Sequence, residues 1–171
     1  GVLIALGAMA LNLLAVKAAT PHPTRNVILV IADDLGWADL GCYGSTFHRT
    51  PHLDQLARDG VRFTAAYSAC TVCSPTRASL LTGKYPARLH LTDWIAGHER
   101  PDAPLQIPNW RKFLPTNEWN LAKSFKAAGY ATAAIGKWHL GDSNHYPEKQ
   151  GFDLNRGGTD KGQPPSFAAP Y

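Results

Sequence analysis

Cysteine is scarce in this chain, with Cys42, Cys70 and Cys73 the three among 171 residues. Three are too few for a disulfide scaffold to stand in for a hydrophobic core. A Cys70–Cys73 bridge is conceivable in an oxidising compartment, but one C-x-x-C without a second pair or neighbouring histidines is a weak zinc signal. Basic runs are missing too. The formal net charge is only +4 and the Lys and Arg residues are scattered, so nothing tracks a phosphate backbone and no nucleic-acid partner is expected. That mild positive excess favours anionic ligands. No internal repeat is found, and a composition of 44% hydrophobic and 18% charged residues is that of a globular chain, not a disordered one.

Long apolar runs are confined to the start. Residues 2–16 are apolar apart from Asn12, and small residues follow around Lys17. The run is shorter than the ~20 residues that span a bilayer and matches the apolar region of a secretory signal. Neither an initiating Met nor a basic leader segment precedes it. The expected organisation is therefore a signal peptide over 1–19 lacking its basic start, a linker over 20–25 and a catalytic domain from 26 onward. A membrane anchor is the alternative reading of the first segment. Export to the periplasm or the extracellular space is expected, without a stable membrane partner.

From 26 onward the pattern is α/β. Residues 26–32 (NVILVIA) form a short, continuous apolar run of the kind buried in parallel sheets, ending at Asp33 and Asp34 with Gly36 as a turn. Thr50 followed by Pro51 opens a helix whose apolar face is Leu53, Leu56 and Ala57, stopped by Gly60. Residues 61–67 alternate as a strand does. Ser74 and Pro75 open a second helix that Gly83 closes. Residues 84–117 read as loop, and a third helix is expected from Glu118 to Ala128. A strand follows over 130–135, and the tail from Gly151 shows no periodicity. In open α/β sheets ligands gather at the carboxyl ends of strands. Asp33 and Asp34, Cys73, and Lys137 with His139 all fall at such ends, which predicts one shared site.

Three constellations carry chemistry. The first is CSPTRASLLTGK over residues 73–84. It sets Cys73 at a helix start, where unpaired amides and the helix dipole favour negative charge, with Arg77 one turn on. On residue types alone, an activated thiol and an inert cysteine before a capped helix fit equally. The second is Asp33 with Asp34. Their hard oxygens suit Ca²⁺ or Mg²⁺ if the strand has ended there, though such a pair alone is more often a solvated turn. The third is Lys137, Trp138 and His139, where alternation puts Lys137 and His139 on one side and Trp138 on the other; a surface lysine beside a structural histidine fits as well. His90, Asp93, Trp94 and His98 lie in the loop beyond the second helix, where they could touch substrate or simply pack.

The 73–84 run resembles the signature of the type I sulfatases, Cys-x-Pro-Ser/Thr-Arg followed by a Leu-rich stretch and Thr-Gly. Cys73 is the matching cysteine, because it alone has Pro two and Arg four positions on. GKWHLG over 136–141 resembles a second motif of that family, as does Phe152-Asp153 after Gly151, to which no role is given. The resemblance implies an alkaline-phosphatase-like sandwich with a mostly parallel central sheet. It implies that a maturation enzyme converts Cys73 to formylglycine (3-oxoalanine), reading Pro75 and Arg77, and that Arg77 then holds the modified side chain. It implies a Ca²⁺ site, or Mg²⁺, on Asp33, Asp34 and the modified Cys73. Lys137 and His139 would bind the sulfate and the formylglycine hydroxyl. The substrate would be a sulfated small molecule or glycan.

That resemblance runs from about Arg25 to the end of the sequence. The family's later Asp-Asn pair, His and Lys find no match after His139, so the chain reads as the N-terminal part of a catalytic domain. A phosphate or phosphonate monoester hydrolase of the same fold is the alternative enzyme. A non-catalytic exported protein that binds anions or glycans is the alternative of another class.

Overall fold

The computed structural model describes residues 25–166. The expected signal peptide and all but the last residue of the linker lie outside them. Residues up to Ala32 belong to one unit and those from Asp33 onward to a second.

Within the first unit, residues 25–32 carry no regular secondary structure. Val27, Ile28 and Val30 are 61%, 87% and 83% exposed, so the strand expected over 26–32 is not formed. A strand needs a neighbour for its N–H and C=O groups, and none pairs with this run among the described residues. The strand expected over 61–67 is absent for the same reason. The segment is tied instead to the 41–43 turn: the Tyr43 hydroxyl donates to the Phe63 carbonyl at 2.9 Å, and Arg62 Nη1 donates to the Cys42 carbonyl.

Helix α1, Pro51–Asp59, has Pro at its first position as expected. The Thr50 hydroxyl does not cap it. It accepts from the Gly41 amide at 2.8 Å and donates to Asp54 Oδ1 at 2.9 Å, while the Cys42 amide donates to the same carboxyl oxygen at 2.7 Å. These bonds tie α1 to a 3₁₀ turn at Gly41–Tyr43. The apolar face expected on Leu53 and Leu56 is exposed.

Helix α2, Cys73–Thr82, starts two residues earlier than the sequence pattern suggests. Val72, not Ser74, is its N-cap residue, and Val72 has no side-chain acceptor to close the first-turn amides. A short helix α3, Pro86–Leu89, follows where only loop is expected. Helix α4, Leu121–Ala127, begins later than predicted because Asn120 caps it, its side chain accepting from the Lys123 amide at 3.1 Å. Asn120 also donates to the Gln150 carbonyl at 3.0 Å, and the fully buried Gln150 side chain donates to the Leu114 carbonyl at 2.7 Å. These groups would be costly to bury unpaired.

Strands β1, Ala133–Ile135, and β2, Leu154–Arg156, pair in parallel with Ala133 opposite Leu154 and Ile135 opposite Arg156. β2 sits in the tail that shows no periodicity, since three residues are too few to display one. Asp153 braces the start of this pair: its carboxylate accepts from Lys126 Nζ at 2.6 Å and from the Thr132 amide at 2.9 Å. The core is a cluster of Ala78 from α2, Leu89 from α3, Leu91, Leu114, Trp138 and Leu140, with Leu81, Tyr146 and Phe152 against it. It fastens α2 to the segment leaving β1, which places Cys73 beside the residues that follow Gly136.

Candidate active site

β1 ends at Ile135, and Gly136 turns the chain at φ 91°, a conformation L-residues rarely adopt. Beyond it, Trp138 packs in the core and donates its indole N–H to the His145 carbonyl at 2.9 Å. Lys137 and His139 face the other way, as alternation predicts, although His139 is itself left-handed at φ 57°.

Asp33 lies where the chain turns, and Asp34 adopts φ 57°, a backbone that Asp tolerates better than most residues. The Asp33 carboxylate is the hub of the site. Its Oδ2 receives Arg77 Nη2 at 2.8 Å and Lys137 Nζ at 2.7 Å. Burial pushes the Asp33 carboxyl upward, but the hydrogen bonds and charges of Lys137 and Arg77 outweigh it and hold the group below the ordinary carboxylate range. Arg77 also donates through Nη1 to the Lys137 carbonyl at 2.6 Å. Among the described residues none of its hydrogen bonds goes to Cys73. Two cations against the one carboxylate leave a local positive excess suited to an anion.

Cys73 is the first residue of α2, and its thiol is free and half-buried. Its Sγ lies 3.3 Å from His139 Nδ1. The other ring nitrogen, Nε2, donates to the Ile95 carbonyl. A carbonyl only accepts, so Nε2 carries a proton, and in the neutral ring the Nδ1 lone pair faces position 73. Burial pushes the His139 pKa down, and Lys137 and Arg77 push it further; the Ile95 bond and Asp33 only partly oppose them. Together these disfavour the imidazolium form.

Thus Asp33, Cys73, Arg77, Lys137 and His139 converge, although they come from three stretches of sequence. Asp34 is exposed at the same turn and carries no hydrogen bond in this set. No group of three or more His, Cys, Asp or Glu side chains is arranged for a metal among the described residues. The two carboxylates suit Ca²⁺ or Mg²⁺ in kind, being hard oxygen donors, but such ions take six or more ligands.

His90 is exposed at the end of α3. Asp93 and His98 clasp one another, with His98 Nδ1 donating to Asp93 Oδ2 at 2.7 Å and the Trp94 amide donating to Asp93 Oδ1 at 2.8 Å. Burial pushes Asp93 upward, but these bonds hold it below its ordinary value. Between them lies Ile95, which sequence reasoning passed over because its function resides in the backbone and not in the side chain. Gly162 was passed over as well: a Cβ there would sit 2.8 Å from His139 Cε1.

Residues 25–163 match the family model described as Sulfatase. Over 158 residues the chain is 44% identical to steryl-sulfatase of Rattus norvegicus, an alignment covering 88% of this chain and 26% of that protein. It is 42% identical over 142 residues to arylsulfatase A of Homo sapiens, covering 81% and 26%. The crystal structure of Ps i-CgsB superposes with a TM-score of 0.61 at 38% identity, covering 75% of this chain and 27% of that one. The chain thus spans about a quarter of the length of these relatives. No helix among the described residues is long and apolar enough to cross a membrane.

Proposed function

This chain belongs to the sulfatase family, and from that premise we propose that the whole protein is an exported sulfuric ester hydrolase whose nucleophile is formylglycine made from Cys73 by a maturation enzyme. Its fold is the family's alkaline-phosphatase-like α/β sandwich, of which residues 25–166 supply α2 and one parallel strand pair. The observation that carries the functional reading is the convergence on one point of the signature cysteine, a neutral imidazole 3.3 Å away and two cations sharing the Asp33 carboxylate.

A hydrated aldehyde at position 73 would supply two hydroxyls, one to attack sulfur and displace the alcohol and one to expel sulfate as the aldehyde reforms. The residues around it do the rest. The Cys73 thiol stands where a hydroxyl of that hydrate would be, so the His139 Nδ1 lone pair is placed to take its proton. Lys137 offsets the charge of the bound sulfate, and Arg77 holds Asp33 and the Lys137 backbone in register with it. Asp33 and Asp34 would give carboxylate oxygens to Ca²⁺, or Mg²⁺, with other ligands completing its shell; the ion would polarise the sulfate oxygens. The unclosed first-turn amides of α2 add further stabilisation for negative charge at position 73. The substrate is a sulfated small molecule or glycan.

The test is to co-express the full-length protein with a formylglycine-generating enzyme, then measure aldehyde at position 73 by mass spectrometry and turnover of matched aryl sulfate and aryl phosphate esters. Aldehyde together with preferred sulfate turnover is expected. Thiol throughout, or faster phosphate turnover, overturns the reading.

A further inference from the structure

The loop over residues 93–98 reaches both halves of the site through one peptide unit. The Ile95 amide donates to Ser74 Oγ at 3.1 Å, and the Ile95 carbonyl accepts from His139 Nε2. Ser74 directly follows Cys73 and is completely buried. The loop is closed by Asp93, whose two oxygens take the Trp94 amide, the His98 amide at 3.2 Å and the His98 ring. Gly162 passes close to the same ring, where an added Cβ would sit 2.8 Å from His139 Cε1.

We propose that this Asp93-closed loop is a positioning device, in which Ser74 and Asp93 hold the Ile95 carbonyl so that His139 keeps its proton on Nε2 and its lone pair toward position 73. The inference rests on the sulfatase reading above. The physical reason is that an imidazole free to choose would populate either tautomer, and which nitrogen carries the proton is set by the partner of the other. With the proton on Nδ1, the ring could not accept one from the nucleophile. Ser74 and Asp93 are thus positioning residues: among the described residues no side-chain hydrogen bond of either goes to Cys73, Lys137, Arg77 or Asp33, and Ser74 bonds the loop through its hydroxyl. The trio His98, Trp94 and Asp93 then has a purpose other than substrate contact. Trp94 Nε1 donates to His98 Nε2 at 3.4 Å, which keeps the His98 proton on Nδ1, where Asp93 receives it.

The test uses the full-length protein with Ser74→Ala, Ser74→Thr and Asp93→Ala, each matched for aldehyde content by mass spectrometry. Steady-state kinetics on an aryl sulfate are read beside the ¹⁵N shifts of the His139 ring. Wild-type protein should give a single Nε2-protonated tautomer. Ser74→Ala and Asp93→Ala should lower kcat about tenfold with KM within about twofold, mix the tautomers, and leave aldehyde content unchanged; Ser74→Thr, which keeps the hydroxyl, should restore both. If Asp93→Ala fails to fold, the Ser74 pair decides alone. Unchanged kcat in Ser74→Ala overturns the proposal, and so does a fall in kcat with the His139 tautomer unaltered. Wild-type protein that carries aldehyde yet turns over no sulfate ester would instead overturn the sulfatase reading.

Discussion

Cys73 Sγ and His139 Nδ1 lie 3.3 Å apart across 66 residues of sequence. Nothing local brings them together. α2 and the segment leaving β1 meet because Ala78, Trp138 and Leu140 share one buried cluster, and the polar groups are carried on the rim of that contact.

Asp33→Asn keeps the shape of the side chain and removes its charge. Arg77 and Lys137, whose side chains are 10% and 21% exposed, then face each other without a counter-ion. Stranding buried charge in this way costs several kcal/mol when fully enclosed; with part of the carboxylate open to water, about 2 kcal/mol is expected here. Urea unfolding of the full-length protein, with a chelator in both samples, should show the loss. An unchanged midpoint would mean that the ion pairs do not hold the site together.

The neutral state of His139 makes stability fall with acid. Its folded pKa lies below the ordinary 6.5 because burial and two nearby cations oppose protonation. The unfolded chain therefore binds a proton that the folded one refuses. The contribution is fully present above about pH 6.5 and is lost as pH falls through and below that value. Chemical denaturation at pH 7.5 and pH 5 (reference range of an ordinary histidine, about 6.5) should show a smaller drop for His139→Gln than for wild type. Equal drops would show that this ring is not the source.

Gly162→Ala should injure catalysis more than folding. The backbone there is not in the left-handed region, so alanine is conformationally acceptable, but its Cβ would lie 2.8 Å from His139 Cε1 and 3.2 Å from Nδ1. The ring must move. A fall in kcat of about tenfold, with thermal stability nearly unchanged, is the expected result of kinetics and calorimetry on the full-length protein. Full activity would show that His139 has freedom the packing does not suggest.

Asp153→Ala tests the brace of the strand pair. The carboxylate, with a pKa lowered to about 2, is held there by Lys126 and by the Thr132 amide and hydroxyl. Its contribution is present above the ordinary value of 3.8 and is lost as pH falls toward 2. At neutral pH the variant should lower Tm by about 2–4 °C and leave kcat alone, since no bond of Asp153 reaches the site. Loss of kcat at unchanged Tm would contradict the structural role.

Which residues meet at the site was largely legible in the sequence, and the sheet was not. Cys73, Arg77, Asp33, Lys137 and His139 stood out because reactive residue types sat in specific runs, and all five converge. The strands over 26–32 and 61–67 were legible as apolar runs, yet neither forms among the described residues, because a strand is made by its neighbours and not by its own composition. β2 was hidden for the converse reason. Its three residues pair with β1 through backbone hydrogen bonds, and side-chain periodicity does not report those.

The sequence by itself determined which groups are available: a cysteine at a helix start, paired carboxylates at a turn, a lysine and a histidine two apart. It also determined the helix limits at Pro51, Gly60 and Gly83, because local steric preferences act within a few residues. Only the tertiary structure decided that Asp33 serves two cations at once, that the His139 pKa is pushed down, that its Nε2 donates to the Ile95 carbonyl, and that Gly162 leaves space for its ring. Those properties come from burial and from partners distant in sequence, and a string of residue types carries neither dielectric nor distance.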